Sequence, residues 1–261
     1  MVMVPGLDKF IKFFEGYDEH YVLIGGTACY LWLADRDLSF RSTRDLDVVV
    51  IVEGKTEVFY KRLWEFIKLG KYASYFQNEG KPKLYRFEEP ETDGFPIMIE
   101  LLTKKIIKVP DTSHLTPIPI TGEISSLSAI LLDEDYYNLV LNHQISLKGA
   151  STISADSIIP LKAKAWLDLT TRREEGDDAV QGDDIRKHRS DVFRLLITLA
   201  PAHRVLLPRR IRDDMNAFLE GILSREEEWG AIESGVRASS GVVMPSIPVS
   251  IDLIRQIFGI Q

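Results

Sequence analysis

Asp45 and Asp47 stand two apart in Thr43-Arg44-Asp45-Leu46-Asp47-Val48-Val49-Val50, a spacing that puts both carboxylates on one face of a β-strand. Leu46, Val48 and Val50 then pack on the other face. Like charges held this close raise each other's pKa unless a cation lies between them. Oxygen-only ligands in pairs suit Mg²⁺ or Mn²⁺, which keep several waters and also bind substrate phosphates. For the Asp-x-Asp pair alone, a solvated strand end is the plainer alternative. A third acid, Glu100, interrupts an aliphatic run in which Ile97, Ile99 and Leu101 alternate with Met98, Glu100 and Leu102. Burying it costs free energy unless it is paired or bound to a metal. If its strand lies beside that of Asp45 and Asp47, three acids converge on one or two metals. An edge strand with Glu100 facing water is the alternative.

Upstream, Gly25 and Gly26 follow the short apolar run Tyr21-Val22-Leu23-Ile24 and precede the apolar segment 27–34. Glycines between a strand and a helix let a phosphate approach the backbone, and the first N–H groups of the helix then face the anion. With Thr27 they form a candidate phosphate cradle. A tight strand-to-helix turn accounts for the glycine pair alone.

These residues need elements to position them. Residues 7–16 read as a helix, 21–24 as a buried strand, 27–34 as a helix apolar all round, and 46–52 as a strand. A helix with Phe59, Leu63, Phe66 and Ile67 on one face follows. Two strands around 83–90 and 95–102 then join at a turn near Asp93-Gly94. Residues 128–133 are a candidate last strand and 134–142 a short helix. From Ser157 onward the pattern is helical, ending in a loop over 235–249 and a helix around 250–258. A mixed α/β domain over 1–125 and a mainly helical domain over 126–261 are therefore expected, with the join somewhere in 120–155.

The 261 residues suffice for such a core, and 45% hydrophobic with 27% charged residues is ordinary for a soluble globular chain. A net charge of −7 argues against a general nucleic-acid coat and leaves room for a local basic groove. Cys29 is the only cysteine, which fits a reducing cytoplasm. With five scattered histidines and one cysteine, a zinc site of familiar spacing is not expected. Charges interrupt every apolar run before membrane-spanning length, and Met1–Phe14 does not read as a signal peptide.

The order of glycine pair, helix, Asp-x-Asp strand and later lone acid resembles the nucleotidyltransferase superfamily that includes DNA polymerase β. The resemblance implies an α+β fold, a mixed sheet with helices on one face followed by a mainly helical part. It implies that Asp45 and Asp47 hold Mg²⁺ against an NTP, with Glu100 as the third carboxylate, which helps bind a second metal and activates the acceptor hydroxyl. The interval from Gly26 to Asp45 is long for minimal members, so residues 33–44 need a loop before the strand. Gly25-Gly26-Thr27-Ala28, Thr43-Arg44-Asp45-Leu46-Asp47 and the later "LKAKAWLDL" and "DDIRKHRSDVFRLL" look like the AbiEii-type branch. That branch comprises nucleotidyltransferase-like toxins of bacterial abortive-infection and type IV toxin–antitoxin systems. It implies a lysine on a later helix, an aspartate in a Lys-x-x-x-Asp helix, and a cognate antitoxin or repressor as partner.

Helical spacing selects the lysine. Lys162 shares a stripe with Ala165, Trp166 and Leu169, and so points inward to the phosphates, whereas Lys164 has Asp168 for an exposed partner four residues on. A Lys162 stem packed on the core, its head in water, is the alternative. Asp191 enters only through the resemblance, because Lys187 and Arg194 around it also describe a surface ion ladder. Arg41 and Arg44 are candidates for contact with the triphosphate or an acceptor backbone, with ordinary loop charges as the alternative. Cys29 and Trp166 read as core. The acceptor stays open among tRNA, protein and small molecule. A tRNA requires Arg172, Arg173, Lys187, Arg189, Arg209, Arg210 and Arg212 to gather on one surface. A non-catalytic binder on the same scaffold, a small-molecule nucleotidyltransferase and a kinase are the rival readings.

Overall fold

The strand that carries the two aspartates runs through the middle of a seven-stranded mixed sheet, ordered β5-β3-β4-β2-β1-β7-β6. The protein is described by a computed structural model over residues 4–51, 56–72, 84–102, 118–119, 130–131 and 133–260. The strands are β1 (Tyr21–Leu23), β2 (Asp45–Val50), β3 (Leu84–Glu88), β4 (Met98–Leu102), β5 (Ile118–Pro119), β6 (Gln144–Leu147) and β7 (Ala150–Ile153). β2 runs parallel to β4 and antiparallel to β1, while β3 is antiparallel to β4. In the first half the helices are α1 (Leu7–Phe13), α2 (Gly25–Ala34) and α3 (Thr56–Gly70). In the second half they are α4 (Glu134–Asn142), α5 (Ala155–Glu174), α6 (Gly182–Leu196), α7 (Arg209–Leu223), α8 (Trp229–Ser240) and α9 (Ile247–Phe258).

The period-two pattern of β2 and β4 divides the sheet into two faces. Leu46, Val48, Val50, Ile99 and Leu101 lie with Phe10 and Phe14 and with Phe59, Leu63, Phe66 and Ile67 of α3 in one cluster. Phe10 and Phe66 meet edge to face with centroids 5.6 Å apart. Each such side chain, fully buried, contributes roughly 1.5–3 kcal/mol. On the other face Val22, Ile24, Val49, Leu102 and Ile153 join α2, α5, α6, α7 and α9 in a second cluster. The rest of that face carries Asp45, Asp47 and Glu100.

The α+β class, the mixed sheet and the helical C-terminal part agree with expectation. Two details differ. Residues 144–153 form a hairpin that extends the sheet beyond β1, within the stretch 126–261 expected to be mainly helical. Residues 130 and 131 of the expected strand over 128–133 are a helical position and a turn; 128, 129 and 132 lie outside the described residues. Among the described residues, no helix is long and apolar enough to cross a membrane.

Candidate active site

The register of three neighbouring strands sets the acidic half of the site. Asp47 on β2 is level with Glu100 on β4, and Glu100 is level with Arg86 on β3. Level residues on adjacent strands share a face, so Asp45, Asp47, Glu100 and Arg86 all reach one cavity of about 310 Å³. Asp47 and Glu100 are buried, at 7% and 4% exposure. Burial, then the charges of Glu100 and Asp45, pushes the Asp47 carboxyl well above its ordinary pKa, against the pull of Lys162 and the Gly26 N–H. Burial and then Glu100 raise Asp45 as well. Such a pair takes up either protons or a cation.

Glu100 has a partner already. Arg86 donates to its Oε1 from Nε at 3.0 Å and from Nη2 at 2.7 Å. Among the described residues, no three His, Cys, Asp or Glu side chains are grouped so as to hold a metal ion. The expected three-acid metal set is thus not assembled. Arg86 draws Glu100 to itself and leaves Asp45 and Asp47 as the pair open to a divalent ion. Two carboxylates with no nitrogen or sulfur beside them fit Mg²⁺ or Mn²⁺, whose remaining positions go to water and substrate phosphate.

Helix α2 is fastened to the start of β2. The Ile24 N–H donates to the Asp47 carbonyl and the Thr27 hydroxyl to the Asp45 carbonyl, each at 3.0 Å. The Gly26 backbone N–H lies close enough to the Asp47 carboxyl to draw its pKa down. A Cβ on Gly26 would sit 2.5 Å from Thr43 Oγ1, so the close approach of the two segments requires glycine there. Gly25 needs its glycine for a different reason, a φ of +64° at the turn into the helix. Of the three cradle residues, Gly26 lines the cavity, and Gly25 and Thr27 are buried behind it.

The basic half comes from the helices. Lys162 on α5 is 2% exposed and points inward, its Nζ 3.0 Å from Asp191 Oδ2. Arg41 Nη2 lies 3.0 Å from the same oxygen, and Arg194 holds Oδ1. Burial pushes the Asp191 pKa up, but Lys162, Arg41 and Arg194 together outweigh it and hold the carboxyl below its usual range. Lys162 and Arg41 share this one carboxylate, and both line the cavity. Asp191 lies behind them, outside the cavity lining. Burial and then Lys162 lower the His188 pKa well below its usual value, so the ring is neutral at pH 7. Among the described residues its buried Nδ1 has no hydrogen-bond partner.

The remaining cations divide. Arg172 and Lys187 line the cavity, with Asp177 at 2.6 Å and Asp184 at 2.9 Å as partners. Arg44 is exposed and outside the lining. Lys164 pairs with Asp168 at 3.1 Å and Asp214 at 3.3 Å. Arg189 is buried against Glu228, and Arg173, Arg209, Arg210 and Arg212 do not line the cavity. Cys29 is buried, and burial pushes its thiol up to about 11. Arg86 was missing from the sequence reading, because its meeting with Glu100 depends on the register of β3 against β4.

No family model matches this sequence, and no curated protein matches it. Among solved structures the chain is similar to an antigenic nucleotidyltransferase-like protein from Paracoccidioides brasiliensis, at 14% identity and a TM-score of 0.42, over 88% of this chain and 94% of that one. At that distance no residue role passes from one chain to the other.

Proposed function

We propose that this chain is a divalent-metal-dependent nucleotidyltransferase that moves an NMP from an NTP to a hydroxyl acceptor. The observation that carries the reading is the meeting, in one cavity, of two like-charged aspartates with Lys162 and Arg41, two cations that share the single carboxylate of Asp191. Asp45 and Asp47 would hold Mg²⁺ or Mn²⁺. When bound, that ion would offset their repulsion and fix the triphosphate oxygens beside them. The Gly26 N–H orients Asp47. The acceptor oxygen attacks the α-phosphorus, the bond to the departing pyrophosphate breaks, and the acceptor proton passes to Glu100, the acid level with Asp47. Lys162 and Arg41 meet the negative charge that grows on the pyrophosphate. Positioning and fixed charges supply most of the rate in such a reaction.

Product analysis with α- and γ-labelled NTPs tests the reading. Label from the α position should move to the acceptor with release of pyrophosphate, and Asp47→Asn should lower the rate by about 10²–10³-fold or more. Release of NDP would instead identify a kinase. The pairing of Glu100 with Arg86 favours a second reading, a nucleotide-binding protein without turnover, for which neither product forms.

The AbiEii-type resemblance extends the proposal to a toxin whose partner is a cognate antitoxin or repressor. One buried cysteine and the absence of a spanning helix among the described residues fit a cytoplasmic setting. Growth arrest on induced expression, lost with Asp47→Asn and relieved by a neighbouring gene product, is the expected sign of the toxin role; unimpaired growth removes it. The acceptor remains one of tRNA, protein or a small molecule. Two of the seven basic residues named for a tRNA surface, Arg172 and Lys187, face the cavity.

A further inference from the structure

Arg86 is the cavity-lining cation that directly contacts one of the three strand acids. Its guanidinium places Nε and Nη2 on the single oxygen Oε1 of Glu100. A metal ion sharing that oxygen would have to approach a fixed positive charge. An arginine stays charged and does not relieve the conflict by losing its proton. Strand pairing repeats the arrangement in order, with Arg86, Glu100 and Asp47 level across β3, β4 and β2. Arg86 thus occupies the Glu100 oxygen that a second ion would need as its ligand.

We infer that Arg86 takes the place of the second metal, so that this site holds one divalent ion on Asp45 and Asp47. The inference rests on the nucleotidyltransferase reading for the location of that ion. Under it, Arg86 is a positioning residue. It holds Glu100 against the acceptor side of the cavity and keeps it from bridging two ions.

Electron paramagnetic resonance of Mn²⁺ with α,β-methylene analogues of each NTP tests it without any turnover. Two ions at bridging distance give a spin-coupled spectrum, and a lone ion gives an uncoupled six-line spectrum. The wild-type chain should show the uncoupled spectrum with one protein-bound ion. Arg86→Ala should gain a second ion and the coupled spectrum, and Arg86→Lys, which keeps the charge, should stay uncoupled. A coupled spectrum in the wild type overturns the inference, as does an Arg86→Ala chain that melts normally and still shows one ion. If Arg86→Ala does not fold, the wild-type spectrum and Arg86→Lys decide. Loss of the uncoupled signal in Asp47→Asn ties the ion to the acid pair. Its survival there, or no bound Mn²⁺ in any form, brings down the nucleotidyltransferase reading itself and so is distinct from failure of the Arg86 inference alone.

Discussion

Asp191 has 0% exposure and three cationic partners, so its charge holds the basic half of the site together. Replacing one member of a buried ion cluster leaves its partners charged and unpaired, at a cost of about 3–5 kcal/mol. Asp191→Asn should lower unfolding stability by that amount in urea titrations, and sulfate should recover part of it by occupying the space beside Lys162 and Arg41. An Asp191→Asn chain as stable as the wild type would show that the cluster does not need its carboxylate. At this scale the sequence was partly legible. The inward stripe of α5 told Lys162 from Lys164, because spacing along a helix reports direction. Asp191 was indistinguishable from a surface ladder, because nothing in Lys187-x-x-x-Asp191-x-x-Arg194 says that α6 turns that face toward Arg41 and Lys162. Arg86 was illegible as a site residue because its role depends on strand register.

The junction of α2 with β2 positions the aspartates through backbone contacts, and Gly26 is its tightest point. Gly26→Ala forces Thr43 Oγ1, 2.5 Å from the new Cβ, to move together with the chain leading into Asp45. Overpacking of this kind costs about 1–3 kcal/mol. Thermal melts should show that loss for Gly26→Ala and partial recovery on adding Thr43→Ala; an unaltered Gly26→Ala melt would refute the tight junction. The α2–β2 unit was visible in the sequence, since a glycine pair between apolar runs and a clean two-residue alternation report local geometry. The β6–β7 hairpin was not. Its strand β7 reads Ala-Ser-Thr-Ile and is wholly buried without an aliphatic run. The hydroxyls are satisfied inside the sheet, Thr152 donating to the Leu23 carbonyl at 2.8 Å and Ser151 accepting from Gln144 at 2.7 Å. The one available signal was Lys148-Gly149, whose φ values of 51° and 80° suit a two-residue hairpin turn.

Across the whole molecule the cavity lies where the face of the sheet meets α5 and α6, and a single apolar cluster joins the two. The acids come from the sheet, and the cavity-lining Lys162 and Arg41 from α5 and the loop before β2. Neither part therefore makes the site alone. Local pattern showed which residues were chemically unusual and on which side of their own element they stand. That β2, β4 and α5 would bring them to one cavity depends on sheet order and helix packing, which no short window of sequence contains. The most direct measurement of the central claim is a crystal structure grown with Mn²⁺ and an α,β-methylene NTP, with the ion located by its anomalous scattering. The account predicts a peak bound by the carboxylates of Asp45 and Asp47, with phosphate oxygens between it and Lys162. A nucleotide bound elsewhere, or a peak away from those two carboxylates, would contradict it.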